Sequence, residues 1–171
     1  MSWQHTINAI TYRFADLRTL LAKASPARSG DDLAGLSASS AAERMAARFC
    51  LAEVSLAEIV ANPVIPYEVD EVTRLICDRH PADRFATVSG LSVGEFRNWL
   101  LHESTDATQL AFIAPAITPE VAAAVSKLMR NQDLILVARK CRVVTQFRNT
   151  IGLKGRMSVR LQPNHPFDDA K

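Results

Sequence analysis

The stretch SAAERMAARFCLA, residues 40–52, decides the fold class because it carries both a helix start and a helical period. Ser40 with Glu43 three residues later is the capping-box pattern, in which each side chain can accept a hydrogen bond from the backbone N–H of the other residue. Apolar residues then follow at helical spacing: Met45, Phe49 and Ala52. Such a repeat predicts an amphipathic helix whose apolar stripe lies in the core.

The same features recur on both sides of this stretch and predict helices over most of the chain. Two more capping boxes, Ser55 with Glu58 and Ser92 with Glu95, mark helix starts. We expect further apolar stripes in the core at these positions: Leu17, Leu20, Leu21 and Ala24; Val69, Val72 and Ile76; Val93, Phe96 and Leu100; and Val121, Val125, Leu128 and Met129.

Two more segments bear on helix boundaries. Thr118 before Pro119 predicts a helix start, because proline is favoured at the first helical position. Residues 131–141 fit either a helix or a strand, and the shared face of Leu134, Val137 and Cys141 favours a helix.

Three acids stand together at Glu68, Asp70 and Glu71. Carboxylates in this position favour the positive end of a helix dipole, which predicts capping of the helix that follows. Metal ligation and acid/base chemistry are the alternatives. The four histidines are too scattered to form a ligand set, so we predict no metal site.

The pattern changes after Thr150. Turn residues give way to a strict alternation over residues 156–162, which predicts one strand. Arg160 and Gln162 project from the same side of it, nearest its carboxyl end. A second short strand is predicted at residues 10–14 (ITYRF), and it could pair with the region around residues 151–161.

Composition excludes several classes of protein. The chain has 171 residues, 48% of them hydrophobic, with a net charge of +2. No apolar run approaches the roughly 20 residues that a membrane span needs, and no signal-peptide pattern opens the chain, so we expect a cytoplasmic protein. Three cysteines without a C-x-x-C pair predict reduced, buried thiols. Residues 134–167 carry seven basic residues and no acid, which makes this the positive part of the chain.

Four segments resemble the N-terminal portion of the heavy (large) subunit of ethanolamine ammonia-lyase: residues 27–47, 56–78, 118–129 and 150–164. The uncommon strings RSGD (28–31), NPVI (62–65) and RLQPN (160–164) make the resemblance specific. It implies a mainly α N-terminal region with short β segments over residues 1–149. Residues 150–171 would then hold the first strand and following loop of a (β/α)8 TIM barrel.

The resemblance also implies a function. The family eliminates ammonia from ethanolamine by adenosylcobalamin-dependent radical chemistry and forms acetaldehyde. Its substrate contacts correspond to Arg160, expected to hydrogen-bond the hydroxyl oxygen, and Gln162, expected to reach the amino group. The family's carboxylates and cobalamin surface lie downstream, so no catalytic residue is expected within this chain. The resemblance implies a light-subunit partner, homo- and hetero-oligomers, and a pathway often enclosed in a bacterial microcompartment.

Two other hypotheses remain beside this one. We predict that the chain alone has no lyase activity, because two substrate contacts without the others leave no closed site. It could then act as a structural or assembly module that docks on a barrel fragment or another copy. The basic residues of the last third could alternatively serve a small helical nucleic-acid-binding protein, although no aromatic residues are interleaved with them for base stacking.

Overall fold

A computed structural model describes residues 2–26, 35–141, 145–147 and 149–151, and this part of the chain is mainly helical. A hairpin of two strands comes first, followed by nine α-helices and one 3₁₀ turn in the described residues. The strands are β1 (Trp3–Ile7) and β2 (Ile10–Phe14). The helices are α1 (Leu17–Ala24), α2 (Ala41–Glu53), α3 (Leu56–Ala61), α4 (Glu71–Asp78), α5 (Ala82–Phe85), α6 (Val93–Leu101), α7 (Ala107–Ile113), α8 (Pro119–Lys127) and α9 (Asn131–Lys140).

The 3₁₀ turn (Ala114–Ala116) joins α7 to α8, and two three-residue strands follow α9. These are β3 (Thr145–Phe147) and β4 (Asn149–Ile151), which pair in antiparallel fashion. Because α9 spans Asn131–Lys140, the predicted helix at residues 131–141 is confirmed. No helix in the described ranges is long and apolar enough to cross a bilayer.

The helix starts follow the predicted capping chemistry. Ser92 and Glu95 form the complete capping box, with hydrogen bonds in both directions at 3.2 and 2.8 Å. At α3 the hydroxyl of Ser55 likewise accepts from the backbone N–H of Glu58. At α2 the hydroxyl of Ser40 does the same, but Glu43 accepts from the backbone and hydroxyl of Ser39 instead. All three predicted helix starts are thus confirmed, and the one at Ser92 has both hydrogen bonds of the capping box.

The core lies where α1, α2, α6 and α8 pack together. Its largest fully buried side chains include Leu20 of α1, Leu51 of α2, Phe96 of α6 and Val121 of α8. Gly94 lets α6 approach α2 closely, because a Cβ atom there would lie 3.1 Å from the carbonyl oxygen of Ala52. The predicted stripes at residues 17–24 and 93–100 are confirmed as core.

Two predicted core stripes are wrong at two of their three positions, and their third residues, Ala52 and Ile76, are half-buried. Met45 and Phe49 of α2 are 48% and 49% exposed, because α2 packs on the core through its neighbouring face. The buried face of α2 is Ala46, Ala47, Cys50 and Leu51. Val69 and Val72 are likewise exposed at 75% and 62%. Helical spacing fixes which residues share a face, but packing decides which face is buried.

The predicted strand at residues 10–14 is confirmed, and its partner is β1, which the sequence analysis did not assign. The turn uses Asn8 and Ala9 with φ angles of 49° and 64°. Two positive φ values are what a type I′ hairpin turn requires. Of the partner region proposed for β2, Ile151 pairs with Thr145, and residues 152–161 lie outside the described part.

Candidate functional site

The predicted substrate residues, Arg160 and Gln162, lie outside the described residues, as does the predicted strand at residues 156–162. The structure does describe the helix that precedes them in the sequence. That helix, α9, ends at Lys140, and its two ends are held against α6 by charged side chains. These contacts fix the position of α9 relative to α6.

The N-terminal end of α9 is fixed through Asp133, which is only 6% exposed. Its carboxylate accepts from the guanidinium of Arg97 on α6 at 2.9 Å and from the backbone N–H of Arg130 at 3.0 Å. The Arg130 guanidinium lies 3.3 Å from the other carboxylate oxygen. The backbone hydrogen bond, followed by the two guanidinium groups, holds the pKa of Asp133 well below its usual range. Asp133 therefore stays ionised and joins α9 to α6.

The C-terminal end of α9 is fixed through Lys140. Its ammonium donates to the carbonyl oxygen of Leu100 at 3.0 Å and also to that of His102. These oxygens belong to the last turn and cap of α6, where the helix dipole favours a positive charge. One ion pair and one ammonium cap thus hold both ends of α9 against α6.

A small cavity of about 220 Å³ lies between α3, α4 and the start of α8. Its lining is largely apolar: Ile59, Val60, Pro63, Thr73, Ile76, Cys77, His80, Thr118 and Glu120. The His80 ring nitrogen Nε2 lies 2.9 Å from the carbonyl oxygen of Ala116, and the ring meets Phe85 edge-on at 4.9 Å. His80 is therefore a satisfied, half-buried histidine.

Two of the three acids at residues 68–71, Asp70 and Glu71, stand at the start of α4. Asp70 is the N-cap of α4 and accepts from the backbone N–H of Thr73 at 2.7 Å and from its hydroxyl at 2.9 Å. The backbone hydrogen bond, then the hydroxyl, lowers the pKa of Asp70. Glu71 lies 3.6 Å from Arg74 as an exposed ion pair. Capping is confirmed, and no group of three or more potential ligands is found in the described ranges.

All three cysteines are free thiols. Cys50 is buried and Cys141 half-buried, and burial raises the pKa of both thiols. Cys77 is exposed on α4, so the prediction of burial is wrong for this residue. A thiol with a raised pKa is a weak nucleophile, which argues against covalent catalysis by Cys50 or Cys141.

The pair of Arg97 and Asp133 was missed by sequence reasoning, because 36 residues separate the partners and nothing local links them. Asp133 at the third position of α9 was the one available signal, since an acid there suits a helix start.

Comparison with known proteins agrees with the resemblance. Residues 12–171 match the family model described as ethanolamine ammonia lyase large subunit (EutB). All 171 residues align at 42% identity with the ethanolamine ammonia-lyase large subunit of Escherichia coli (strain K12) and with that of Salmonella typhimurium (strain LT2). The chain spans 38% of the length of each of these curated relatives. The chain belongs to the ethanolamine ammonia-lyase large-subunit family.

Proposed function

We propose that this chain forms the N-terminal portion of the large subunit of an ethanolamine ammonia-lyase, which converts ethanolamine to acetaldehyde and ammonia. The observation that carries the proposal is the family match over residues 12–171, because it includes the segment with Arg160 and Gln162. In the complete enzyme the partner is the light subunit.

In this proposal residues 150–171 hold the first strand of a (β/α)8 barrel. Substrate sites of such barrels lie at the carboxyl ends of the strands, and Arg160 and Gln162 stand near that end of the predicted strand. Asp133 and Lys140 hold α9, the last described helix before the predicted strand, against α6.

The two residue types suit a small amino alcohol. The guanidinium of Arg160 stays charged and can donate to the hydroxyl oxygen of the substrate. The amide oxygen of Gln162 can accept from the ammonium group without taking its proton. Together they would fix both ends of ethanolamine while the amino group leaves.

We propose that the complete enzyme uses adenosylcobalamin, bound by the rest of the large subunit and the light subunit. The cavity of about 220 Å³ between α3, α4 and α8 does not fit this cofactor. It is smaller than the roughly 300–1,000 Å³ of typical small-molecule sites, and a corrin ring needs a larger surface. We therefore assign no step of the reaction to the described part of the chain.

A chimeric large subunit tests the proposal. This chain would replace the corresponding 38% of the Escherichia coli subunit, and the chimera would be assembled with the light subunit and adenosylcobalamin. We expect acetaldehyde formation from ethanolamine by the chimera and none by the 171-residue chain alone. A chimera that assembles with the light subunit but is inactive, beside an active parent, would refute the proposal.

Substitutions in the same chimera test the two substrate contacts. Arg160→Ala and Gln162→Ala should each lower kcat/KM by about a hundredfold or more, the scale seen when a positioned polar contact is removed. Arg156→Ala is the matched control, because Arg156 lies on the same predicted strand face but at its amino end. Equal losses in Arg156→Ala and Arg160→Ala would contradict the assignment.

A further inference from the structure

The helix α4 and the residues before it carry apolar side chains that face solvent. Val69, Val72 and Leu75 are 75%, 62% and 50% exposed, and we call these three residues the α4 surface. Ile65 and Tyr67, just upstream, are also exposed, at 47% and 40%. Scattered single apolar residues are normal on a protein surface, but a cluster on one segment marks an interaction site.

The inner side of α4 is packed loosely. Thr73 is its one buried residue, and the cavity of about 220 Å³ separates the helix from α3 and α8. A helix in a folded domain normally turns its apolar stripe inward. Here Thr73 and the half-buried Ile76 line the cavity, whereas Val72 and Leu75 are exposed. The hydrophobic effect therefore favours a partner that covers the outer side of α4.

Charge indicates which partner fits. Residues 67–78 contain four acids and one base, a net charge of −3. Residues 142–171 contain six bases and two acids, a net charge of +4. In the curated relatives, the matched portion is 38% of a longer subunit, so a large body of polypeptide adjoins it. The acidic flank of the α4 surface thus complements the basic chain that leads into that body.

We propose that the α4 surface is an internal interface of the full-length large subunit, which docks against the part that follows residue 171. This inference rests on the proposed function in one respect, because it takes this chain to be joined to such a part. Docking would bury Val69, Val72 and Leu75 and stabilise the orientation of the helical region relative to the rest of the subunit.

Thiol labelling of the chimera tests the proposal. Val72→Cys would be made in a Cys77→Ser background, in both the 171-residue chain and the chimeric large subunit, and labelled with a maleimide. Cys50 is the internal buried reference, and Glu103→Cys is the exposed control on the loop after α6. Peptide mass spectrometry gives the labelling rate at each position. Leu75→Cys serves as a second probe if Val72→Cys fails to fold.

We expect position 72 to react at least about tenfold more slowly in the chimera than in the short chain, while position 103 reacts at similar rates in both. Equal rates at position 72 would overturn the proposal. Protection of the short chain that grows with its concentration would identify a second copy as the partner and would also overturn it. Protection of position 72 that appears in the chimera only when the light subunit is present would overturn the proposal as well.

The lyase assay separates this proposal from the proposed function. An active chimera with position 72 unprotected would refute the docking surface and leave the enzyme assignment in place. An inactive chimera with position 72 protected would refute the enzyme assignment and leave the docking surface in place.

Discussion

Two phenylalanines that sequence analysis treats alike should differ sharply in their contribution to stability. Phe49 and Phe96 both belong to apolar stripes at helical spacing, and both were expected in the core. In the structure Phe96 is 1% exposed, whereas Phe49 is 49% exposed and stacks on His5 with 4.7 Å between ring centroids. We predict that Phe96→Ala is much more destabilising than Phe49→Ala.

The magnitudes follow from burial. Truncating a fully buried phenylalanine costs about 3–5 kcal/mol, because the lost transfer free energy is accompanied by a cavity. Phe49 keeps about half of its surface in water and leaves no closed cavity, so its truncation should cost about 1 kcal/mol for burial and about 0.5 kcal/mol for the ring contact. The difference between the variants should be about 2 kcal/mol or more. It corresponds to a Tm difference of about 5 °C or more for a chain of this size.

Urea unfolding followed by far-UV circular dichroism measures both variants. Tryptophan fluorescence is a poor readout for this pair, because Trp99 stacks on Phe96 at 5.8 Å and would change for local reasons. Phe112→Ala is a second control, since Phe112 is 47% exposed on α7. Equal losses for Phe49→Ala and Phe96→Ala would refute the orientation of α2 described above.

Three further changes test local features. Ala9→Gly should stabilise the chain by about 1 kcal/mol, seen as a higher urea midpoint, because glycine adopts the positive φ of this turn without strain. Thr118→Ala should destabilise it by about 1 kcal/mol through loss of the α8 N-cap, measured in the same way. The pKa of Asp133 is lowered by folding, so its contribution is present above about pH 4 and is lost as the pH falls towards the folded pKa. Asp133→Asn should therefore lower the free energy of unfolding at neutral pH and weaken the dependence of that free energy on pH below about pH 4. The same pH dependence in the variant and in the parent chain would contradict this prediction.

Helix starts were predictable because their chemistry is local. Ser92 and Glu95 are three residues apart, and the hydrogen bonds between them form within one turn. The same holds for Asp70 at the start of α4, where the capping interpretation was confirmed. Such signals depend on neighbours in the sequence, so packing elsewhere in the fold changes them little.

The orientation of helices was less predictable, and α2 shows why. Met45 and Phe49 share one face at helical spacing, but so do Ala46 and Cys50 one position further on. The larger side chains suggested the wrong face. The structure buries the face that carries Ala46, Ala47, Cys50 and Leu51, which belongs to the core shared with α1. That choice depends on elements more than fifteen residues away, which the local pattern of α2 does not encode.

The hairpin and the link between α6 and α9 were missed for a related reason. The turn at Asn8 and Ala9 lacks the glycine that would have marked a type I′ turn in the sequence. Arg97 and Asp133 are distant in sequence, so nothing in the sequence distinguishes them from charged residues that remain unpaired on the surface. The family resemblance was detected because it draws on rare strings of residues, such as RLQPN at 160–164.

The attachment of α9 shows how the helical region can contribute to the proposed reaction. Substrate contacts must be held within about 0.5 Å of their productive positions, so the elements that carry them need rigid support. Asp133 and Lys140 hold α9 to α6 at both ends, and α6 is anchored in the core by Phe96. Movement of α9 would therefore require breaking an ion pair or uncovering buried surface. In the proposed enzyme, the helical region supplies this fixed base for the strand that carries Arg160 and Gln162.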